Sequence, residues 1–550
     1  MNFFEWKLLV GPAPSGAMDD TNVEWREWGP EAFATAERAG KPVLLSLTVP
    51  WSPECAEMDA TTYTEPRIAA HVNDGFVPVR VDAERQPRVR DRYTMGGFPS
   101  TVFLTPSGEV LTGATFLGVD GFRGILDSVR ETWDASGEAA GSVPRALRGD
   151  RPPGGELTAR VEEHMVEQLL AAYDEEFGGW GSDAKFPLAP TIEFALVRAR
   201  EQATRTLEAV RTHLYDTYDG GFYRDAANRD WAQPRREKLL DDNAALVRAF
   251  AYGYRYTGEE AYRETAQGAV EYLMTTLWTD EGFAASQAGD DAYYRADASD
   301  RETADPPAVH GTVLADRNAL AVDALLTYDR YVDGTDARRY AERAREAVVD
   351  LIGDDGAVAH YDGADAPRGT LLDQARVLTG LTTSWSVLGD PGPARTVADW
   401  TLDHLADGDG ILRDGPTGET GLLSEPMYPL DYTVEAGAAL LDLALLSGEQ
   451  RYQAAAHDAI AAYANAAERM GVEAAGYASV AARLQSPQAV RVGRPAGSDL
   501  HRAALRLADH ETVVVPDADV GDTATLVVDG EDRGEADTPA GLESLLTDAV

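Results

Sequence analysis

The spacing of apolar residues changes along the chain of 550 residues and divides it into two large parts and a tail. In the first part, short apolar runs alternate with stretches that repeat with helical spacing. Four runs have strand character, namely KPVLLSLTVPW, FVPVRVDAE, TVFLTP and EVLTGATF. A helix from about Asp120 to Trp133 follows the last of them. This order predicts an α/β domain over residues 22–137 that ends in a hairpin and a helix.

A motif after the first strand indicates which α/β domain this is. Trp51, Ser52 and Cys55 lie where thioredoxins carry Trp-Cys-Gly-Pro-Cys at a helix N-terminus. Pro99 precedes the third strand at the place of the thioredoxin cis-proline, so we expect a cis bond there. Because Ser52 replaces the first cysteine and the chain has 1 cysteine, dithiol exchange is excluded. We expect Cys55 to be an inert, half-buried thiol in a degenerate redox motif.

The second part, residues 155–486, shows long amphipathic helices in pairs. A glycine turn followed by an apolar residue recurs after every second helix, at Gly178-Gly179-Trp180, Gly220-Gly221-Phe222, Gly282-Phe283, Gly356-Ala357 and Gly410-Ile411. The repeat indicates about six helical hairpins. A closed ring of such hairpins is an (α/α)6 barrel. The chain is therefore predicted to be a multidomain protein in which an all-α barrel follows the thioredoxin-like α/β domain. Residues 487–550 predict a small α/β segment at the C-terminus.

The charge of the chain limits its partners. Formal net charge is -44, from 93 acidic and 49 basic residues, and the acidity runs along the whole length. This argues against nucleic-acid partners and anionic membranes, and it predicts a halophilic surface solvated in high salt. No apolar run approaches the roughly 20 residues that span a bilayer. The N-terminus lacks a secretory pattern, so we expect a cytoplasmic protein.

Several motifs occur together in a known order. They are Gly96-Gly97-Phe98-Pro99 before TVFLTPSGEV, Gly178-Gly179-Trp180-Gly181 with Lys185-Phe186-Pro187, and Gly220-Gly221-Phe222 with Trp231, Glu237-Lys238 and Asp242-Asn243-Ala244. In this order the chain resembles the thioredoxin-like proteins of unknown biochemical role that include spermatogenesis-associated protein 20. The resemblance implies a thioredoxin-like domain followed by a six-hairpin barrel similar to those of sugar epimerases and glycoside-processing enzymes. It implies no established reaction.

The chain departs from this family at its most chemical positions. Of the family's CHWCHVM stretch only Cys55 and Met58 remain, with Ser52 at the first cysteine. In the barrel, Arg235 stands at the family's histidine and Asp241 at its tyrosine. An activity inherited from the family is therefore not expected to carry over unchanged.

Lys185 and Lys238 are the first candidates for catalysis. They are two of four lysines in a chain that otherwise uses arginine, and both lie inside motifs. A lysine offers a compact ammonium group whose pKa falls readily on burial, which arginine cannot supply, so a site for proton transfer or close anion contact would keep a lysine. Glu237 and Asp242 complete the catalytic set. The alternative is structural, because Lys238 and Asp242 are spaced like an ordinary helical side-chain pair.

Residues near these motifs are candidates for ligand binding, namely Trp180, Phe186, Trp231, Asn243 and Tyr432. The aromatic rings could stack on a sugar face, although loop aromatics commonly plug a barrel mouth. No metal-ligand cluster, phosphate-binding glycine loop or nucleophile elbow is visible, so we expect no metal and no cofactor.

Two functions follow from these observations. In the first, the barrel cavity binds a small polar or sugar-like ligand, either as a carbohydrate-processing enzyme of the epimerase or glycosidase type or as a ligand binder. In the second, the protein is a non-enzymatic scaffold that recruits partners through the groove around Trp51, Cys55 and Pro99. The two are distinguished by whether the barrel seals that groove and whether the barrel contains a pocket near Lys185 and Glu237-Lys238.

Overall fold

The computed structural model describes residues 21–332, 335–418 and 420–548, which form two compact units. The first unit contains the described residues up to Asp150 together with the segments 286–311 and 415–427. The second unit contains the remainder, from Arg151 onward. The domain boundaries derived from the sequence stay predictions.

The first unit is built on a mixed sheet of four strands, Val43–Thr48, Val77–Asp82, Ser100–Leu104 and Val110–Ala114. The first strand is central, since it pairs in parallel with the second and antiparallel with the third, which then pairs with the fourth. The apolar residues of the first three strands are buried on both faces because helices cover the sheet, and those of the fourth strand are partly buried. These helices are Pro30–Ala39, Pro53–Thr61, Pro66–Gly75, Pro87–Tyr93 and Val119–Ser136. The predicted thioredoxin-like fold is confirmed.

Two segments from later in the sequence complete this unit. In the segment 286–311, the strand Ser286–Gln287 pairs with Val309–His310, and two short helices lie between them. The segment 415–427 places Leu422 in the hydrophobic core of the unit. Arg92 donates hydrogen bonds to the carbonyls of Leu422 and Glu425, each at 2.8 Å. The sequence pattern alone assigned both segments to the barrel region.

The second unit contains six helical hairpins. The inner helices are Ala189–Arg198, Leu240–Thr257, Ala315–Val332, Leu371–Leu388, Leu430–Ser447 and Ala475–Gln485. The outer helices are Arg160–Ala171, Arg200–His213, Glu260–Tyr272, Thr335–Asp350, Ala394–Leu405 and Gln450–Ala461. Each inner helix packs against the next, and the last packs against the first, so the ring is closed. The predicted (α/α)6 barrel is confirmed.

The C-terminal segment of the second unit carries a four-stranded sheet and two helices. The strands are Gln488–Val492, Val513–Val515, Ala524–Val528 and Glu531–Ala536, and the helices are Asp499–Leu507 and Pro539–Asp548. The segment is attached to the barrel through Ser386, whose hydroxyl donates to the carbonyl of Val514 at 2.8 Å. None of the described helices has the length and apolar character needed to cross a membrane.

Candidate functional site

The degenerate redox motif lies between the first strand and the helix Pro53–Thr61. The Ser52 hydroxyl accepts a hydrogen bond from the Cys55 amide at 3.3 Å and donates one to Glu54 at 3.0 Å. The Phe98–Pro99 peptide bond is cis, as predicted. Ser52 therefore serves as a helix N-cap at the position where thioredoxins carry the attacking cysteine.

Cys55 is shielded from solvent and poorly ionised. Its side chain is buried, and this burial raises the pKa of the thiol to about 11. Hydrogen bonds with the Val49 backbone and the Ser52 side chain lower the pKa by a smaller amount. The thiolate is the reactive form of cysteine, so at neutral pH very little of it is present. The interpretation of Cys55 as an inert thiol agrees with this geometry, and its burial is more complete than expected.

The surface around the motif is covered within the first unit. Trp51 is buried, and its indole nitrogen donates to Glu84 at 2.7 Å while its ring meets Phe98 edge to face. The amide of Gly289, in the segment 286–311, points at the Trp51 carbonyl at 3.4 Å. Pro99 is buried as well. Trp51, Cys55 and Pro99 are therefore buried, whereas Pro53, Glu54 and Gly96 beside them are exposed.

Lys185 and Lys238 occupy equivalent positions in two successive barrel turns. Lys185 Nζ contacts Asp174 Oδ2 at 2.9 Å and the Gly181 carbonyl at 2.9 Å. Lys238 Nζ contacts Asp216 Oδ2 at 2.9 Å and the Gly220 carbonyl at 2.7 Å. Both lysine side chains are fully buried. The two lysines thus hold turns of the internal repeat.

The aspartates that accept from these lysines also organise the turns. Asp174 Oδ1 accepts hydrogen bonds from the Glu176 and Phe177 amides, each at 3.1 Å. Burial acts to raise the pKa of Asp174, but hydrogen bonds from Arg229 and Lys185 hold it well below its usual range. The carboxylate is therefore ionised and pairs with the lysine as a charge.

Asn243 belongs to a second repeated device. Its Oδ1 accepts from the Phe222 amide at 2.7 Å and its Nδ2 donates to the Phe222 carbonyl at 3.2 Å. Asn318 makes the same pair of bonds with Phe283, at 2.8 and 3.0 Å. Gln374 accepts from the Val358 amide at 2.7 Å in the next turn. An amide side chain at the start of an inner helix therefore fixes the preceding glycine turn in three hairpins.

The remaining sequence candidates lie in varied surroundings. Trp180 and Trp231 are buried and donate to the carbonyls of Leu169 and Phe177, at 3.0 and 3.1 Å, so they pack as structural side chains. Phe186 is exposed and Tyr432 is partly buried. Glu237 is buried beside Lys238 in the same turn. None of these residues lines the cavity of about 250 Å³ in the lumen of the barrel.

Asp242 has an unusual environment. Burial, followed by the charge of neighbouring Asp241, raises the pKa of Asp242 to about 7, while Arg224 and Arg317 act in the opposite direction. Asp242 lies in the first turn of its inner helix, near the mouth of the barrel. It is the candidate from the sequence whose protonation changes near neutral pH.

A cavity of about 250 Å³ occupies the lumen of the barrel. All six inner helices contribute to its wall, which includes Glu193, Arg248, Asp323, Thr379, Glu435 and Ser479. Lys185, Glu237, Lys238 and Asp242 are not among the residues that line it. The ligand-sized space of the barrel therefore lies deeper than the motifs of the turns.

Arg248 organises the charges of this cavity. It binds Glu193 through two hydrogen bonds of 2.8 and 3.2 Å and Asp323 through one of 2.6 Å. Thr383 donates to the other oxygen of Asp323 at 2.6 Å. Burial raises the pKa of Glu193 above its usual value, and the charge on Arg248 offsets only part of this. One guanidinium thus binds two carboxylates, which lie on the two inner helices that flank the helix of Arg248.

A second cluster lies nearer the N-terminal ends of the inner helices. Arg376 binds Glu435 at 2.9 and 3.2 Å and Asp316 at 3.0 Å. His360 Nδ1 lies 2.7 Å from Asp373 Oδ1 and 3.9 Å from Asp316 Oδ1. Because Glu435 also lines the cavity, Arg376 connects this cluster to it.

The opposite end of the cavity is closed by the C-terminal segment. His510, Glu511, Thr512 and Val513 form part of the wall. Glu511 accepts from Arg198 at 2.7 Å and from Ser479 at 3.0 Å, so it joins the first and last inner helices. His510 stacks on Tyr252, and burial lowers the pKa of its imidazole to about 4. The floor of the cavity is therefore polar and fixed by ion pairs.

The sequence offered a signal for these missed residues. Arg248 and Arg376 interrupt otherwise apolar stretches, ALVRAFAYG and LLDQARVLTG, at positions where a buried helix would carry an aliphatic side chain. A charged residue within an apolar helix is buried only when it is paired. Its partners cannot be found by spacing, because they lie on other helices some tens of residues away.

Comparison with known proteins agrees with this architecture. Residues 17–147 match the family model Thioredox_DsbH, described as "Protein of unknown function, DUF255". Human spermatogenesis-associated protein 20 is 30% identical over 295 residues, covering 46% of this chain and 37% of the human protein. Cellobiose 2-epimerase of Bacteroides fragilis is 30% identical over 82 residues, covering 15% of this chain and 21% of that enzyme.

Among solved structures, the cellobiose 2-epimerase from Spirochaeta thermophila DSM 6192 is similar with a TM-score of 0.44 and 20% sequence identity. The match covers 55% of this chain and 82% of that chain. The alignment to the human relative spans well under half of that relative's length, at 37%. The resemblance to the thioredoxin-like proteins that include spermatogenesis-associated protein 20, which the motifs indicate, is confirmed by these matches.

Proposed function

We propose that the helical unit binds a small polar, sugar-like ligand in the lumen of its barrel. The observation that carries this proposal is the cavity of about 250 Å³ to which every inner helix contributes. Binding sites for small molecules are concave spaces with a few well-placed polar groups. The site of this proposal is the lumen, and the turn residues Lys185, Glu237, Lys238 and Asp242 support its walls from outside.

The chemistry of the wall supports a neutral polyhydroxy ligand. Thr327, Thr379, Thr383 and Ser479 line the same space as Glu193, Asp323 and Tyr252. Hydroxyls and carboxylates together offer donors and acceptors to a sugar. The guanidinium groups of Arg248 and Arg483 pair with Asp323 and Asp442 of the wall, so these charges are matched within the protein.

A catalytic version of the proposal uses Glu193 and Asp323. Glycoside processing commonly requires two carboxyl groups, one of them held protonated. The raised pKa of Glu193 suits the acid, and Asp323, paired with the same guanidinium, suits the carboxylate. The matched segment of a cellobiose 2-epimerase supports sugar chemistry as the class to test first.

The experiment fills the cavity without disturbing its charges. Ala438 lines the lumen on an inner helix, so Ala438→Leu occupies the space and Ala438→Ser leaves it open. Calorimetry and thermal shift with neutral monosaccharides and disaccharides should show binding to the native protein and to Ala438→Ser. Binding should be lost in Ala438→Leu. Failure of the native protein to bind any of them, or equal binding by both variants, would contradict the proposal.

Recruitment of partners through the thioredoxin-like groove is the weaker function. Trp51 and Cys55 are buried, and the segment 286–311 reaches Trp51. No feature of this surface within the described residues favours a docking role over a structural one.

A further inference from the structure

Three buried side chains near the mouth of the barrel point potential ligand atoms at a common position. They are Asp316 and Asp373, on two neighbouring inner helices, and His360, in the turn before the second of these helices. One atom from each lies within 4.8 Å of the others. The side chains are 4%, 0% and 1% exposed, so solvent does not compete for these atoms.

A second layer of contacts fixes the orientation of both carboxylates. The Thr370 hydroxyl donates to Asp373 Oδ2 at 2.7 Å, and Arg376 donates to Asp316 Oδ2 at 3.0 Å. In each carboxylate the Oδ1 atom is the one that faces His360. The loop itself is held because the Ala315 amide donates to the His360 carbonyl at 2.8 Å. Outer hydrogen bonds of this kind orient the ligands of metal sites.

The charge of Asp373 provides an independent argument. This carboxylate is fully buried, and its side-chain contacts are the Thr370 hydroxyl and the His360 ring. A carboxylate is costly to bury unless it is paired or coordinates a cation. Arg376 binds Asp316 and Glu435. Within the described residues, no lysine or arginine forms an ion pair with Asp373, whose Oδ1 atom faces the His360 ring.

We propose that Asp316, His360 and Asp373 bind one divalent transition-metal ion. The ligand atoms are Asp316 Oδ1, His360 Nδ1 and Asp373 Oδ1, a set that suits Zn²⁺ or Mn²⁺ better than the all-oxygen ions Ca²⁺ and Mg²⁺. Three protein ligands leave a coordination position for water or a ligand oxygen. The sequence analysis expects no metal, and the proposal departs from that expectation because the three residues are separated in sequence and form no spacing motif.

The site is independent of sugar binding but adjacent to it. Arg376 contacts Asp316 in the metal cluster and Glu435 in the cavity wall. A metal ion here would therefore influence the cavity through Arg376. Metal content is measured without any sugar, so failure of one proposal does not decide the other.

The test uses the untagged full-length protein. After dialysis against a chelator, the protein is equilibrated with Zn²⁺, Mn²⁺ or Co²⁺, and bound metal is measured by elemental analysis. We expect about one ion per chain in the native protein and in His457→Ala, an exposed-histidine control. His360→Ala and Asp373→Asn should bind none at that site. Thr370→Val, which keeps all three ligands, should weaken binding about 10- to 100-fold.

Two outcomes would overturn the proposal. One is native protein that takes up none of these ions, which would make the cluster a hydrogen-bonded imidazolium and carboxylate pair. The other is undiminished binding by a folded His360→Ala protein. If the buried variants do not fold, the Co²⁺ absorption spectrum of the native protein decides, because the site predicts nitrogen and oxygen ligands and a thiolate band would place the ion at Cys55.

Discussion

Lys238 Nζ lies 2.9 Å from Asp216 Oδ2, and the pair repeats one hairpin earlier as Lys185 and Asp174 at the same distance. All four side chains are buried. Because the same contact recurs at equivalent turns that do not line the cavity, its most direct consequence is for stability. Buried ion pairs of this kind are strongly asymmetric in energy, since the loss of one partner leaves the other as an isolated charge.

The first prediction concerns this pair. Lys238→Met should lower the free energy of unfolding by about 3–5 kcal/mol, because the buried Asp216 carboxylate loses the ammonium group 2.9 Å away. Lys238→Met combined with Asp216→Asn should recover much of the loss. Chemical denaturation measures both, with Lys41→Met as a lysine control outside the barrel. If Lys238→Met instead left stability unchanged and removed ligand binding, the lysine would have the catalytic or binding role that the sequence suggests.

The second prediction concerns Asp242. Its pKa in the folded protein is raised to about 7 from a usual value of 3.8, so the folded state holds a proton that the unfolded chain releases. The cost of keeping this group in the folded protein therefore grows as pH rises from about 4 to about 7 and is constant above. Asp242→Asn should raise the melting temperature at neutral pH and have little effect near pH 4. Exposed Asp183→Asn should show no such pH dependence.

The third prediction concerns His510, whose pKa is lowered to about 4 from 6.5. The imidazole faces Tyr252 and Tyr256 from an inner helix, and Asp509, Glu511, Arg198 and Arg483 surround it. The unfolded chain binds a proton here that the folded chain does not, so stability falls as pH falls from about 6.5 toward about 4. His510→Gln should flatten this part of the stability profile. An unchanged profile would show that other groups cause the acid sensitivity.

The fourth prediction concerns salt. A net charge of -44 spread over the chain produces repulsion between acidic residues in the folded state. Salt shortens the screening length from about 10 Å at 0.1 M to about 3 Å at 1 M. The melting temperature should therefore rise with KCl through this range. A melting temperature that is independent of salt would contradict the interpretation of the charge as a halophilic surface.

The fifth prediction concerns redox activity. The native protein should not reduce insulin disulfides with multiple turnover, because one thiol forms a mixed disulfide that no second thiol resolves. The raised pKa of Cys55 should also make its alkylation slow at neutral pH. Ser52→Cys should be required before any turnover is seen. Sustained turnover by the native protein, supplied with a reductase but no small thiol, would contradict this.

The sequence predicted the fold well because the fold is encoded in local periodicity. The strands of the first unit, the paired helices and the glycine turns are each visible within a short window. A feature that depends on neighbours in the sequence can be predicted in the same way. The cis bond before Pro99 is an example.

The candidate site was harder to predict because its contacts join distant helices. Arg248 binds Glu193 and Asp323, which lie on the inner helices on either side of its own, at sequence separations of 55 and 75 residues. Asn243 and Lys238 are candidates from the sequence because they lie in motifs, and in the structure their hydrogen bonds stabilise the turns of the repeat. The motif residues occupy equivalent turns of the repeat. The residues of the lumen can be recognised in the sequence only as single charged residues within apolar helices.

The position of Leu422 in the core of the thioredoxin-like unit has a consequence for synthesis of the protein. During translation, residues 21–150 emerge from the ribosome long before residues 415–427. At that stage the first unit lacks Leu422 and the Leu422 and Glu425 carbonyls that accept hydrogen bonds from Arg92. Domains commonly fold in order from the N-terminus during translation. The core of this unit, however, includes a contact between residues far apart in the sequence, since Arg92 and Leu422 are separated by 330 residues. The core of this unit is therefore complete only after most of the barrel has been synthesised.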